Sequence, residues 1–250
     1  MILLVDAGNT RIKWALAHRE APPGTWIMQG AALHDGLDAL AETWAASGAT
    51  QALVSNVAGP ALRDRLAAAL PSSMALEWFA STPERAGLRN GYREPGKLGC
   101  DRFAAAIGAR ALAPGRDLVV ATCGTATTVD AVRADGLFIG GMILPGLALM
   151  ASSLARNTAQ LPQVAPGVQP PLFGTDTEEA ILAGCLSAQA GAIARACTGF
   201  AGFAPAVCIV SGGAAPWIAP ALKPGHVLVD NIVLVGLHAA AAASIGEAPC

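Results

Sequence analysis

The sequence predicts an α/β protein made of two similar halves. Three observations carry that expectation. Short apolar runs alternate with stretches of helical spacing. Three of those runs end in a glycine turn: MILLVDAGNT at the start, DLVVATCGTA from Asp117, and AVCIVSGGAA from Ala206. Between the first and second lies Pro114-Gly115, a natural boundary, so the halves are expected at 1–114 and 115–250. A recurring strand-and-turn unit implies a repeat, with one hairpin copy per half. Turns at the same end of two similar sheets would face each other across a cleft, and such clefts hold ligands.

The opening stretch is the most informative. Ile2 to Val5 do not alternate with polar residues, so this strand is expected to be buried on both faces, with Asp6 at its end. Gly8 and Asn9 then make a turn into RIKW, a β-hairpin. Gly8 would let the chain turn tightly and let a ligand approach the main chain. Successive turn amides form a nest for an anion. Thr10 adds a hydroxyl and Lys13 a charge. Asp6 repels phosphate but attracts the magnesium that travels with a nucleotide. The plain alternative is an ordinary hairpin in which Asp6 and Asn9 bond their own turn.

Further along, Leu33 to Ser47 has helical spacing, QALVSNV (51–57) reads as a strand, Pro60 to Leu70 as a helix, and Leu76 to Ala80 as a strand. Thr82 to Leu98 is rich in Gly, Pro and charge, and reads as a surface loop suited to a lid or binding segment; it holds Tyr92, the one tyrosine. Gly99-Cys100-Asp101-Arg102 comes next, then an Ala-rich helix to about Leu112. Asp101 stands where an N-cap would. Arg102 in a first turn is mildly unfavourable, which points instead to a small polar site. Phe138 to Ala151 reads as a strand and glycine turn leading into a helix, Leu161 to Asp176 as a loop, Thr177 to Phe200 as a long helix. Val227 to Asp230 is a last strand and Ile232 to Ile245 a last apolar helix.

Composition narrows the function. Of 250 residues, 53% are hydrophobic and 14% charged, which makes a core-rich globular chain, and the net charge of −2 offers no basic surplus for nucleic acid. The apolar stretches Met142 to Ala155 and Ile232 to Ile245 are too short to span a bilayer and are expected to be buried helices. The N-terminal run is not expected to be a signal peptide, since Asp6 cuts it short and no basic residue precedes it. Six scattered cysteines without a CxxC, and four histidines without a close pair, argue against zinc or a disulfide framework and for reduced, cytoplasmic thiols.

Taken in order, these stretches resemble the type III pantothenate kinases of the acetate-and-sugar-kinase/Hsp70/actin superfamily, over nearly the whole chain. DAGNT (Asp6 to Thr10) is similar to the family's first phosphate motif, GCDR (Gly99 to Arg102) to its pantothenate motif with Tyr92 at the family's spacing before it, and CGTATT (Cys123 to Thr128) to its second phosphate motif. IGGMILPG (Ile139 to Gly146), Thr158-Ala159, Leu161-Pro162 and the adenosine-like SGGAA (Ser211 to Ala215) also match. Each is weak alone; the ordered set is specific. RIKW resembles the subgroup that includes the Bvg accessory factor.

The resemblance implies two ribonuclease H-like (actin-like ATPase) domains with mixed sheets flanked by helices and an active-site cleft between them. It implies ATP-dependent phosphorylation of pantothenate to 4'-phosphopantothenate, the first step of coenzyme A biosynthesis. ATP would be held by Asp6, Ala7, Gly8, Asn9, Thr10, Arg11, Ile12 and Lys13, by Thr125, and by Gly212 and Gly213, with Mg2+ near Asp6. Asp101 would take the proton from the attacking hydroxyl. Tyr92, Gly99, Cys100, Arg102 and Thr177 would join it in holding pantothenate. Many relatives start the second phosphate motif with an aspartate that binds a monovalent cation. Thr122 stands there in this chain, so a requirement for K+ or NH4+ is expected to fall below the usual strength.

In-line phosphoryl transfer rests on positioning and charge stabilisation, and a carboxylate beside an alcohol supplies the proton acceptor. Pantothenate carries a carboxylate that suits the fork of Arg102. The alternative is a non-catalytic regulatory or scaffold protein of the same fold, in the manner of the Bvg accessory factor; intact Asp6, Asp101 and Arg102 weigh against it. A polyphosphate hydrolase of the same fold is disfavoured by GCDR. Apolar surface on the late helices points to a homodimer; no nucleic acid and no membrane partner is expected.

Overall fold

A computed structural model describes residues 1–165, 167, 169–200 and 205–243. In chain order the elements are β1 (Ile2–Ala7), β2 (Arg11–Ala17), β3 (Met28–Leu33), α1 (Leu37–Ala46), β4 (Gln51–Asn56), α2 (Pro60–Ala69), β5 (Ala75–Trp78), β6 (Glu84–Arg85), β7 (Leu88–Asn90) and α3 (Cys100–Leu112). There follow β8 (Leu118–Cys123), β9 (Ala126–Val132), β10 (Leu137–Pro145), α4 (Leu147–Asn157), α5 (Thr177–Gly199), β11 (Val207–Ser211), α6 (Ala215–Ile218), β12 (His226–Val229) and α7 (Ile232–Ala243). The chain divides into two compact units: Met1–Pro114 with Gly136–Phe138 and Ile232–Cys250, and Gly115–Asp135 with Ile139–Asn231.

The first unit is built on a five-stranded sheet of order β3-β2-β1-β4-β5. β1 pairs antiparallel with β2 and parallel with β4. Its residues Leu3, Leu4 and Val5 are fully buried, because a central strand has helices or loops on both faces and apolar side chains suit both. Trp14, Trp44, Leu62 and Leu66 fill one side of the sheet. β3 was not legible in the sequence: MQGAAL lacks β-branched residues, and its glycine is explained only by its partner. Gly30 lies opposite Trp14 in the ladder, and a Cβ there would stand 2.9 Å from the indole nitrogen.

The expected surface loop over 82–98 contains a small hairpin. β6 and β7 are joined by Ala86 and Gly87, with φ of 50° and 71°. Positive φ at both turn positions matches the right-handed twist of short hairpins. Leu137 and Phe138, the first residues of β10, pair in parallel with Arg89 and Asn90.

Helices α3 and α7 of this unit cross backbone against backbone. A Cβ on Gly108 would lie 2.5 Å from the Ile232 carbonyl oxygen and 2.7 Å from the Gly236 nitrogen, and one on Gly236 would strike the Ala104 carbonyl. Two glycines thus permit a contact that any side chain would hold apart, and it fixes the middle of α3, from Ala104 to Gly108. α7 is buried on nearly all sides, as its hydrophobicity predicts. Its expected last residues, Ser244 and Ile245, lie outside the described residues. His238 is buried in α7 with Nε2 2.9 Å from the His18 carbonyl oxygen, and burial pushes its pKa down, so it is held neutral.

The second unit repeats the plan. β8 pairs antiparallel with β9 and parallel with β11, and the strands run in the order β12-β11-β8-β9-β10. Val119, Ala121, Cys123 and Val210 face a core shared with Leu147, Ile181, Cys185 and Ile193. The AVCIVSGGAA stretch therefore corresponds to QALVSN of β4, the parallel neighbour, and not to a third hairpin. The expectation of a buried helix over Met142 to Ala155 needs correction. Met142 to Pro145 complete β10, since Pro145 and Gly146 end one element and begin the next, and α4 buries Leu147 and Ala151 while much of it stays exposed. α5 is long and apolar enough by length and composition to cross a bilayer, a test that a core helix also passes. It carries Glu178 and Glu179 in its first turn, is capped by Asp176, whose Oδ1 accepts from the Glu179 N–H at 2.8 Å, and buries one face in the unit's core. Of the expected loop from Leu161 to Asp176, positions 166 and 168 lie outside the described residues.

Candidate active site

In the first unit β1 and β4 run parallel and end together, so both present their carboxyl ends at one edge of the sheet, where open α/β sheets bind ligands. Asp6 is opposite Lys13 of β2 on one side and Ser55 of β4 on the other. Facing ladder residues project to the same side, so Lys13, Asp6 and Ser55 form a row across three strands. Asp6 and Lys13 are half-buried; Ser55 is fully buried.

The turn beyond Asp6 has the expected shape, with the Gly8 N–H donating to the Arg11 carbonyl at 3.1 Å. Asn9, Thr10 and Arg11 are exposed. Ala7 and Ile12 are buried in the core, so what they present to a ligand is main chain, not a side chain. Gly8 does not have a positive φ, and a Cβ there would meet only the Arg11 oxygen at 3.4 Å. The protein's own backbone does not require this glycine. Sequence reasoning missed His34: its ring Nε2 lies 2.9 Å from the Gly8 carbonyl oxygen and ties the turn to the start of α1.

α3 brings the other half of this site. Its N-cap is Gly99, which supplies no side-chain cap. Asp101 is the second residue of the helix, and its Oδ1 accepts from the Arg102 N–H at 2.8 Å. Capping, the bland explanation of Asp101, is therefore not its arrangement here. A Cβ on Gly99 would stand 2.7 Å from that same oxygen, so the glycine leaves the carboxylate room to fold back. Burial pushes the Asp101 pKa up; the Arg102 N–H and the Arg102 charge pull the other way without cancelling it. A carboxyl in that condition accepts a proton more readily than an exposed one.

Arg102 is buried, 6% exposed. Its Nη1 donates to the Tyr92 hydroxyl at 2.8 Å, and the guanidinium lies 5.6 Å from the Tyr92 ring centre and 5.9 Å from that of Phe138. The two rings meet edge to face at 5.8 Å. Ring faces stabilise a cation so enclosed, and a guanidinium is a fork-shaped partner for a carboxylate. Phe138 could not be assigned from sequence, since it comes from a strand far along the chain. Two further missed residues join the halves of the site. Ser55 Oγ lies 3.3 Å from Cys100 Sγ, and that sulfur donates to the Asn56 carbonyl at 3.6 Å. Thus Asp6, Lys13, Ser55, Cys100, Asp101, Arg102 and Tyr92 belong to one connected neighbourhood. The available signal was positional: Ser55 and Asn56 are the polar residues that end an apolar strand.

In the second unit Thr125 is exposed in the β8–β9 turn, and its carbonyl accepts from the Gly146 N–H at 2.9 Å. Gly212 has φ 98°, and a Cβ on it would lie 2.7 Å from the Cys123 carbonyl carbon, while Gly213 has open space around it. The Ala214 N–H donates to the Cys123 carbonyl at 2.9 Å, so the Thr125 turn and the Gly212-Gly213 loop are fastened together. Thr177 lies elsewhere in this unit, on the lining of an apolar cavity of about 580 Å³ with Pro145, Met150, Leu161 and Gly184. Thr122 sits between Thr128 and Ser211 in the ladder.

Among the described residues no group of three or more His, Cys, Asp or Glu forms a metal cage. Magnesium does not need one. It keeps its waters and takes one or two carboxylates together with nucleotide phosphates, and Asp6 at the strand end fits that donor set.

The chain matches the family description "Type III pantothenate kinase" over residues 2–198. It is 54% identical over 253 residues to a type III pantothenate kinase of Herminiimonas arsenicoxydans, covering 96% of this chain and 97% of that one. It is 55% identical over 255 residues to that of Janthinobacterium sp. (strain Marseille), with the same coverage. Among solved structures it is similar to a Baf family protein from Campylobacter jejuni (TM-score 0.62, 19% identity, 94% of each chain). It is also similar to the activator of the 2-hydroxyisocaproyl-CoA dehydratase from Clostridium difficile with bound ADPNP (TM-score 0.56, 12% identity, 98% and 94%). Those two likenesses establish the two-sheet α/β fold of actin-like ATPases and sugar kinases. With that fold, the Asp6 and Asp101 neighbourhood, and identity above one half along almost its entire length, this chain belongs to the type III pantothenate kinases.

Proposed function

We propose that Asp101 receives the proton when this pantothenate kinase phosphorylates its substrate with ATP. The observation that supports this reading is the link within one unit from Asp6, through its ladder neighbour Ser55, to Cys100, the residue before Asp101. The hydroxyl of pantothenate attacks the γ-phosphorus, its proton passes to Asp101, and ADP leaves. Arg102, steadied by Tyr92, pairs with the pantothenate carboxylate. The amides of Gly8 to Thr10 and the Lys13 charge receive the nucleotide phosphates, and Asp6 holds the Mg2+ that neutralises them. Thr125, Gly212, Gly213 and Thr177 keep the nucleotide and substrate roles that the family motifs assign them.

The deciding experiment is pantothenate-dependent ADP release by Asp101→Asn. Turnover is expected to fall at least about 100-fold, with ATP binding retained. Because burial raises this carboxyl's pKa, ionising it weighs against the folded state. Its contribution favours folding at pH below the usual carboxylate value of 3.8 and is lost as pH rises through the folded value. Asp101→Asn should therefore unfold at the parent's Tm or above it at pH 7. Near-parental turnover would remove Asp101 from this role.

The reading extends to a cytoplasmic homodimer. Ile143, Leu172 and Phe173 are 66%, 73% and 83% exposed in the second unit, and an apolar surface of that kind favours a second copy; a monomer by light scattering would count against it. It also includes a weak monovalent-cation response, since Thr122 and its neighbours Thr128 and Ser211 offer neutral hydroxyls. Turnover that rises steeply with K+ or NH4+ would overturn that part.

A further inference from the structure

α3 enters the site without a side-chain cap, yet its second residue is the one whose position matters most. Something other than capping must set where that end of the helix lies. The α3–α7 contact fixes the middle of the helix, from Ala104 to Gly108, but leaves the first turn to be placed locally.

One residue of that turn, Cys100, reaches the end of β4. The Cys100 thiol donates to the Asn56 carbonyl at 3.6 Å. With its single proton used there, the 3.3 Å contact to Ser55 must run the other way, the serine hydroxyl donating to sulfur. Ser55 is fully buried, so this is its one chance to satisfy a polar group away from water. Asn56 is itself braced: its side chain donates to the Gly59 carbonyl at 2.9 Å and accepts from the Ala58 N–H at 3.0 Å. Burial keeps the thiol protonated, which this arrangement needs, and the neighbouring Asp101 acts in the same direction.

We propose that Ser55 and Cys100 are positioning residues for the phosphoryl transfer: their hydrogen-bonded link ties the first residue of α3 to the end of β4, and so sets the Asp101 carboxylate against the Asp6 edge. The inference rests on the reading of Asp101 as proton acceptor. The family motif counts Cys100 with the pantothenate-holding residues; the role assigned to it here, as to Ser55, is exerted through the carboxylate. A small displacement of a reacting group is enough to slow a reaction that depends on alignment. Binding, by contrast, depends on the nucleotide turn and on Arg102 with Tyr92, which this link does not hold.

The test compares Ser55→Ala, Cys100→Ala and Cys100→Ser in the full chain, varying ATP and pantothenate separately. Each alanine variant is expected to lose about tenfold in kcat with both KM values within about threefold of the parent. The double alanine variant should lose about as much as the worse single one, because both break one link. Cys100→Ser, whose hydroxyl can still donate to Asn56 and accept from Ser55, should keep kcat within about threefold of the parent. Four results overturn the proposal: both alanine variants turning over within twofold of the parent, a loss carried by KM with kcat unchanged, losses that multiply in the double variant, or Cys100→Ser falling as far as Cys100→Ala. Thermal unfolding accompanies each assay, and if Ser55→Ala does not fold, the two Cys100 variants decide alone. Failure of the Asp101 reading is distinct: there Asp101→Asn itself stays active. If Asp101→Asn is inactive and the alanine variants are not slowed, only the positioning link is lost.

Discussion

The β2-β1-β4 edge of the first unit and the β9-β8-β11 edge of the second have the same topology and opposite chemistry. In each, a central strand pairs antiparallel with its hairpin partner and parallel with a later strand. The row at the end of the first is Lys13, Asp6 and Ser55. The matching row in the second is Thr128, Thr122 and Ser211. One edge therefore carries two charges, and the other three neutral hydroxyls. The turns beyond them differ as well. Gly8 is required by no protein contact, whereas Gly146 and Gly212 are pressed against the backbone of the turn they support, at Gly124, Thr125 and Cys123. One repeated pattern thus ends in a charged row in one copy and in a neutral row with a tightly packed backbone in the other.

The sharpest way to break this comparison is to neutralise the centre of each row. Asp6→Asn should lower kcat/KM about 100-fold or more, since holding a metal on transferring phosphates is worth several kcal/mol. Thr122→Val should change kcat/KM less than about fivefold, because no charge is removed. Equal losses, measured at saturating Mg2+, would erase the distinction between the two edges.

Next in size is the scaffold. Gly146→Ala would place a methyl against the Gly124 and Thr125 carbonyls, where overpacking against a backbone costs about 3 kcal/mol. Urea unfolding should show that loss, and an unchanged midpoint would mean the turn can move aside. A smaller effect is expected from pH. The acid limb of kcat/KM should report Asp101, with an inflection above the ordinary carboxylate value of 3.8; the limb should vanish in Asp101→Asn, and an inflection at or below that value would contradict the burial described for this side chain. The smallest effect belongs to Gly8→Ala, which should alter stability by less than about 0.5 kcal/mol while raising the KM for ATP. A KM that stays put would show that the nucleotide, like the protein, does not need the missing side chain.

Much of the α/β order was readable because local rules were obeyed. Apolar runs that end in glycine became β1, β8 and β11; the helix after Gly99 began two residues before the start that an N-cap at Asp101 implies; α5 began at Thr177, as expected. The reading failed where the cause lay elsewhere in the chain. β3 has weak strand propensity, and its Gly30 is explained only by Trp14 opposite it in the ladder. The β6–β7 hairpin depends on a positive φ at Ala86 that no residue preference announces. Met142 to Pro145 follow the strand, glycine turn and helix read over Phe138 to Ala151, not the buried helix that their apolar composition suggested.

The sequence by itself marked out Asp6, Lys13, Asp101, Arg102 and Tyr92, charged or polar groups that flank predicted strands, turns and a helix start, because local pattern is enough to single such residues out. Tertiary structure alone decided how they meet. Ser55 lies beside Asp6 because two strands run parallel; the Cys100 thiol meets Ser55 and Asn56 at the end of β4; Phe138 joins Arg102 from a distant strand. Such contacts arise between segments far apart in sequence, where steric fit, not local preference, selects the partner.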